Sequence, residues 1–157
     1  MTQIIKNNLV VIAIHIVTCL ALLYPVGFTF LGQVQYNVRP DFFSSRGFEI
    51  RLLLIGVITI VVLALYFLIG RKLLIDTNNQ QANIFSVLPL AILIAATIFI
   101  AYNNLLDRLA VLGILVIPII PISETASHFL RIESKYMYMI MSILPSLALW
   151  MGMTTKR

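Results

Sequence analysis

The chain has 157 residues, 61% of them apolar and only 11% charged, with a formal net charge of +5. A soluble domain carries about a quarter charged residues and must wet its whole surface, so composition excludes a soluble globular fold. The basic excess does not indicate a nucleic-acid partner, because the cations stand singly or in pairs at the ends of apolar stretches, where they meet anionic head groups.

Met1 to Asn8 is a short polar start with one cation, Lys6. The first apolar stretch covers 9–31. No small-x-small cleavage site follows it, so a removed signal peptide is disfavoured. Ile16-Val17-Thr18-Cys19 is close to a lipobox, which would make Cys19 a lipidated N-terminus. Thr18 stands where Gly or Ala is usual, however, and the run stays apolar through Leu23. A retained membrane helix is expected, kinked or ended by Tyr24-Pro25 and Gly27.

The connection 32–50 interleaves Arg39, Asp41, Arg46 and Glu49 with Phe42, Phe43 and Phe48. Aromatics among charges suit a linker at head-group level, with Asp41 or Ser44 capping a short interfacial helix. The alternative is a docking or lid segment.

The second stretch, 51–70, is free of charge between Arg51 and Arg71-Lys72. At ~1.5 Å per residue it spans roughly the ~30 Å hydrocarbon core. Tyr66, near its end, fits an aromatic belt. Residues 71–83, with Thr77-Asn78-Asn79-Gln80-Gln81, read as a loop, since unpaired Asn and Gln do not sit in lipid. The third stretch is 84–102, with Pro89 in its first turns and Ala91 and Ala95 one turn apart, a spacing that permits close helix approach.

The fourth stretch, 109–123, reaches only roughly 22 Å as a helix, and Pro118 and Pro121 lie within it. It is a broken helix, a re-entrant piece or a tilted crossing. The last stretch, 136–153, has Pro145 in its middle and Trp150 near its end. The fold class is therefore all-α: one domain over 1–157, a polytopic transmembrane helix bundle of five apolar segments. Five crossings are expected, with four crossings plus one re-entrant segment as the alternative. Basic residues nearly balance across five crossings. The pair Arg71-Lys72 tips the orientation towards an N-terminus inside.

Three groups of residues invite chemistry. Glu124, His128 and Arg131 follow the proline break at helical spacing, and an acid, an imidazole and a guanidinium at a membrane boundary can relay protons or bind an anion. The bland reading is a solvated polar loop. Two ligands do not make a closed metal site, and no metal or other cofactor is expected. His15 and Cys19, one turn apart in the first crossing, form a second candidate. There a hydrogen-bonded histidine beside a small apolar filler is the plainer reading. Pro118 and Pro121 themselves form a helix break. Phosphate loops, nucleophile elbows, zinc-protease motifs and Rossmann glycines are absent from the sequence.

Gly70-Arg71-Lys72-Leu73-Leu74 and Leu144-Pro145-Ser146-Leu147-Ala148-Leu149-Trp150-Met151-Gly152 resemble helix ends of small, uncharacterised polytopic membrane proteins of Gram-positive bacteria. The resemblance implies a bacterial plasma-membrane location and carries no activity. The expected function is non-enzymatic: an accessory, immunity-type or assembly protein acting through a membrane-protein partner or as a homo-oligomer in the lipid bilayer. A small transporter or channel component using the Pro118/Pro121 break and Glu124 is the alternative. An intramembrane enzyme with His128 and Glu124 as acid and base ranks last, because a nucleophile is missing.

Overall fold

The computed structural model describes residues 2–26, 47–103 and 114–155, without the side chains of 24–26, 47–55, 102, 124, 125, 128 and 134. All described elements are helices: α1 (Thr2–Val26), α2 (Gly47–Leu73), α3 (Gln80–Phe85), α4 (Leu88–Tyr102), a 3-10 turn (Ile117–Ile119), α5 (Ile120–Leu130), α6 (Ser134–Met141) and α7 (Ile143–Thr154). Four stretches are long and apolar enough to cross a membrane: Thr2–Leu23, Gly56–Leu73, Gln80–Ala101 and Lys135–Thr154. The polar connection 32–46, with its expected cap at Asp41 or Ser44, and the first residues of the fourth apolar stretch lie outside the described residues.

α1 starts at Thr2 rather than Leu9, because its polar start is helical and packed. Its buried residues are Asn7, Val11, His15, Thr18 and Cys19, a stripe at helical spacing. Ile5, Leu9, Ile16, Val17, Leu20 and Leu23 point outward. In water such residues would be a liability. In lipid they are the solvent-facing side.

α2 buries Val62, Tyr66 and Gly70 on one face, and Leu74, directly after its end, is buried too. Tyr66 is thus fully buried, not part of an interfacial belt. The broadest contact in the bundle joins this helix to α7. A Cβ added at Gly70 would run into the backbone carbonyl of Leu149, and one at Gly152 into that of Phe67. Two glycines facing backbone in this way allow the closest approach between helices that lipid packing rewards. Further along, Ile60, Leu63, Ala64 and Phe67 of α2 line an apolar groove with Leu144, Leu147, Ala148 and Met151 of α7. That pairing makes the two helices run in the same direction.

Prolines set the breaks. Pro89 is at the start of α4, Pro118 at the start of the 3-10 turn and Pro121 at the start of α5. At each helix start a missing N–H is tolerated. The loop expected over 71–83 is shorter than anticipated. Asn79 caps α3 through hydrogen bonds from the Gln81 and Ala82 N–H groups, so the polar run begins the third crossing. Pro145 lies one turn beyond the break between α6 and α7, where Ser142 donates its hydroxyl to the Met139 carbonyl at 2.6 Å.

Candidate functional site

Several of the buried polar side chains lie on α1: Asn7, His15 and Thr18. The His15 Nδ1 lies 2.6 Å from the Tyr66 hydroxyl and its Nε2 lies 2.9 Å from the Leu115 carbonyl oxygen. A carbonyl can only accept, so Nε2 carries the proton and donates it. Nδ1 is then the lone-pair nitrogen and accepts from the Tyr66 O–H. The ring is the neutral tautomer with both nitrogens used. Cys19 Sγ lies 3.5 Å from Nε2 and is fully buried. With Nε2 protonated, the sulfur can only accept weakly there.

Leu115 offers its carbonyl for a backbone reason. Its 3-10 donor would be residue 118, which is proline and has no N–H. Its α-helical donor would be Ile119 N–H, which goes instead to Val116 O at 3.0 Å. The buried carbonyl is therefore left to a side chain, and His15 supplies it.

A second proline repeats the pattern. Ser86 stands three residues before Pro89, and Leu90 N–H turns to Val87 O at 3.2 Å. Oriented with its nitrogen towards the carbonyls, the Asn8 amide donates to Ser86 O at 2.6 Å and Phe85 O at 3.1 Å. Asn8 and His15 are about two turns apart on α1. The helix thus holds two proline-broken segments by the same device.

Asn7 closes the end of the bundle. It donates from Nδ2 to Ile75 O at 2.9 Å and accepts from Ile75 N–H at 3.2 Å through Oδ1. Its Nδ2 also reaches Ser86 Oγ at 3.3 Å and Met153 Sδ at 3.9 Å. The start of α1, the end of α2, the α3–α4 junction and the end of α7 therefore meet at one level.

The Glu124, His128 and Arg131 group is described only in part. Glu124 and His128 belong to α5, and their side chains lie outside the described residues. Arg131 is past the helix, at its C-terminal cap, with φ 54° and ψ 35°. Beyond it Lys135 pairs with Glu133 at 2.8 Å, with both side chains well exposed. Among the described residues no three His, Cys, Asp or Glu side chains come together to hold a metal ion. Pro118 and Pro121 are both buried.

Sequence reasoning singled out His15 and Cys19 but not Tyr66 or Leu115 as their neighbours, and it read Asn7 and Asn8 only as part of a short polar start. The available signal was the two asparagines directly before an uncharged helix. Comparison with models of protein families, with curated proteins and with solved structures finds no match. What stands is an all-helical chain with four helices long and apolar enough to cross a membrane.

Proposed function

We propose that this is a multi-pass protein of a bacterial plasma membrane that acts through a membrane partner, as an accessory, immunity-type or assembly protein. One observation carries the reading. The interior polar side chains best suited to chemistry are spent on holding helices together: both His15 nitrogens are engaged, and both Asn7 amide atoms bind Ile75. In these two clusters both imidazole nitrogens and both amide atoms are already engaged within the bundle. Cross-linking in intact membranes followed by mild solubilisation tests this. A second membrane protein, or a second copy, is expected in the cross-linked product, and a solitary monomer in several mild detergents would overturn the reading.

The proposed topology is four crossings with the stretch between α4 and α6 re-entrant. Asn7 joins the start of α1 to the end of α2 and the end of α7, and α2 and α7 run in the same direction. Three crossings, α1, α2 and α3–α4, leave the chain on the far side. α6–α7 must begin on that side to return to the level of Asn7. The intervening stretch then enters and leaves by one face, with Leu115 at its deep end against His15. Five crossings would put α7 the other way up. The N-terminal face is assigned to the inside on the strength of Arg71-Lys72.

This topology favours a second reading, a transport or channel component, because irregular backbone at membrane depth is tolerated where it is buried in protein or lines a path. Glu124, on the returning helix, is then the residue to test. Glu124→Gln should abolish flux in reconstituted vesicles, and unchanged flux removes the idea.

A further inference from the structure

The chain turns from α5 to α6 through Arg131, Ile132 and Glu133. This corner stands directly before the stretch Lys135–Thr154, which is long and apolar enough to cross a membrane. A turn in water hides its apolar side chains and leaves much of its backbone to solvent. Here Phe129, Leu130, Ile132 and Tyr136 are all exposed, and the backbone between them is bonded within the protein.

Ser127 clamps the turn. Its carbonyl accepts from the Arg131 and Ile132 N–H groups, the latter at 3.3 Å, and its hydroxyl donates to the Ile132 carbonyl at 2.7 Å. Both backbone groups of Ile132 are thus engaged. The Glu133 carbonyl accepts from the N–H groups of Tyr136 at 3.0 Å and Met137 at 3.4 Å. Backbone bonded in this way can enter an apolar medium, and backbone that relies on water cannot. The charges are arranged to match. Glu133 and Lys135 pair at 2.8 Å, and the Lys135 ammonium lies 4.9 Å from the centre of the Tyr136 ring. A paired acid and base approach lipid at less cost than two separate ions, and the long Arg131 side chain can reach back to water.

We infer that the α5–α6 corner is inserted into the bilayer surface, with Leu130 and Ile132 among the upper acyl chains and the Glu133–Lys135 pair at head-group level. Lipid is the occupant of this apolar surface by continuity. Tyr136, Ile140, Ile143 and Leu147 follow at helical spacing along α6 and α7 and are all exposed. They form the lipid-facing side of that crossing, and the corner extends it past the helix end. Insertion of this kind reaches about 5–10 Å below the surface. Arg131 and its neighbours then belong to a membrane anchor rather than to a solvated loop. The placement rests on the chain lying in a bilayer. It is the same for four crossings or five, since the corner precedes the same crossing in both.

Single cysteines are introduced in a Cys19→Ser background as Leu130→Cys, Ile132→Cys, Glu133→Cys and, on the lipid-facing side of α7, Leu147→Cys. Each is labelled with a solvent-sensitive fluorophore and placed in phosphatidylcholine nanodiscs, which leave both faces open to the buffer. Probes at Leu130→Cys and Ile132→Cys should emit to the blue of the probe at Glu133→Cys. They should lose intensity to lipids spin-labelled high on the acyl chain and resist aqueous iodide, whereas Glu133→Cys should be quenched by iodide. Leu147→Cys reports the membrane setting by itself. Lipid quenching at Leu147→Cys together with iodide quenching at Leu130→Cys and Ile132→Cys overturns the inference alone. Loss of lipid quenching at all three positions overturns the membrane reading with it. Corner probes shielded from both quenchers would mean that protein covers the corner, which also overturns the inference.

Discussion

His15 donates its Nε2–H to the carbonyl of Leu115 at 2.9 Å, filling the place of the backbone donor that Pro118 lacks. Removing the imidazole leaves that buried carbonyl unpaired and takes away the acceptor of the Tyr66 hydroxyl, which keeps only its hydrogen bond with Thr18. His15→Ala should lower the unfolding free energy in micelles by about 1–2 kcal/mol. Tyr66→Phe should cost less than about 1 kcal/mol, because Nδ1 is then the group left unpaired. Equal costs for the two variants would contradict the assigned tautomer.

The dependence of side chain on proline is open to a double-mutant cycle. Pro118→Ala restores a backbone N–H beside Leu115, so His15→Ala should cost less in that background, by about 0.5 kcal/mol or more. The same sign is expected for Asn8→Leu with Pro89→Ala. Strict additivity in both cycles would separate the two features.

The glycine contact between α2 and α7 predicts position-specific intolerance. Gly70→Ala and Gly152→Ala each force a methyl group into the facing backbone and should destabilise by about 2 kcal/mol or more. Gly56, in the same helix as Gly70, has nothing within 4 Å of an added Cβ. Gly56→Ala should be neutral or gain about 0.5 kcal/mol. Thermal unfolding of the three variants in one detergent is a sufficient comparison.

Arg131 holds a left-handed conformation at the end of α5, with φ 54°. Glycine adopts this without the Cβ penalty, so Arg131→Gly should be neutral or stabilise by about 0.5–1 kcal/mol. A β-branched residue should do the opposite, and Arg131→Val is expected to lower the unfolding temperature.

Crossing number is read from single cysteines placed in a Cys19→Ser background. An impermeant thiol reagent in intact cells should treat Asn78→Cys and Thr155→Cys alike. Ser45→Cys and Glu133→Cys should both show the opposite behaviour. If Glu133→Cys instead labels with Asn78→Cys, the fourth apolar stretch crosses and the re-entrant topology fails.

The membrane class and the helical architecture were legible in the sequence because lipid leaves few alternatives: uncharged runs such as 52–70 have to be helices. Hydropathy sums a helix without regard to its faces, however, so it could not separate buried Tyr66 from a tyrosine at the lipid surface. Asn7 and Asn8 passed as part of a polar start for a related reason. Their partners, Ile75 and Ser86, lie far along the chain, and a short polar run before an apolar one has the same composition whether it is solvated or packed. The fourth stretch was the hardest. Pro118 and Pro121 announced a break, but a deep re-entrant segment and a short crossing are equally apolar. The contact of Asn7 with the end of α7, on which the proposed re-entrant topology rests, is tertiary and leaves no mark in the sequence. Within the His15 cluster the residue types were visible. The Leu115 carbonyl was not, since backbone acceptors carry no mark in a sequence.

The close backbone contact of α2 with α7 also dictates an order of assembly. α7 leaves the ribosome after every other described helix, so during synthesis α2 stands in the bilayer with Gly70 uncovered and its tightest neighbour still to come. The earlier helices can be tied together by Asn7, Asn8 and Ile75 while they wait, but they form an unfinished surface. A chain that stops before Gly152 would keep that surface exposed, and a membrane protease would have a structural reason to remove it.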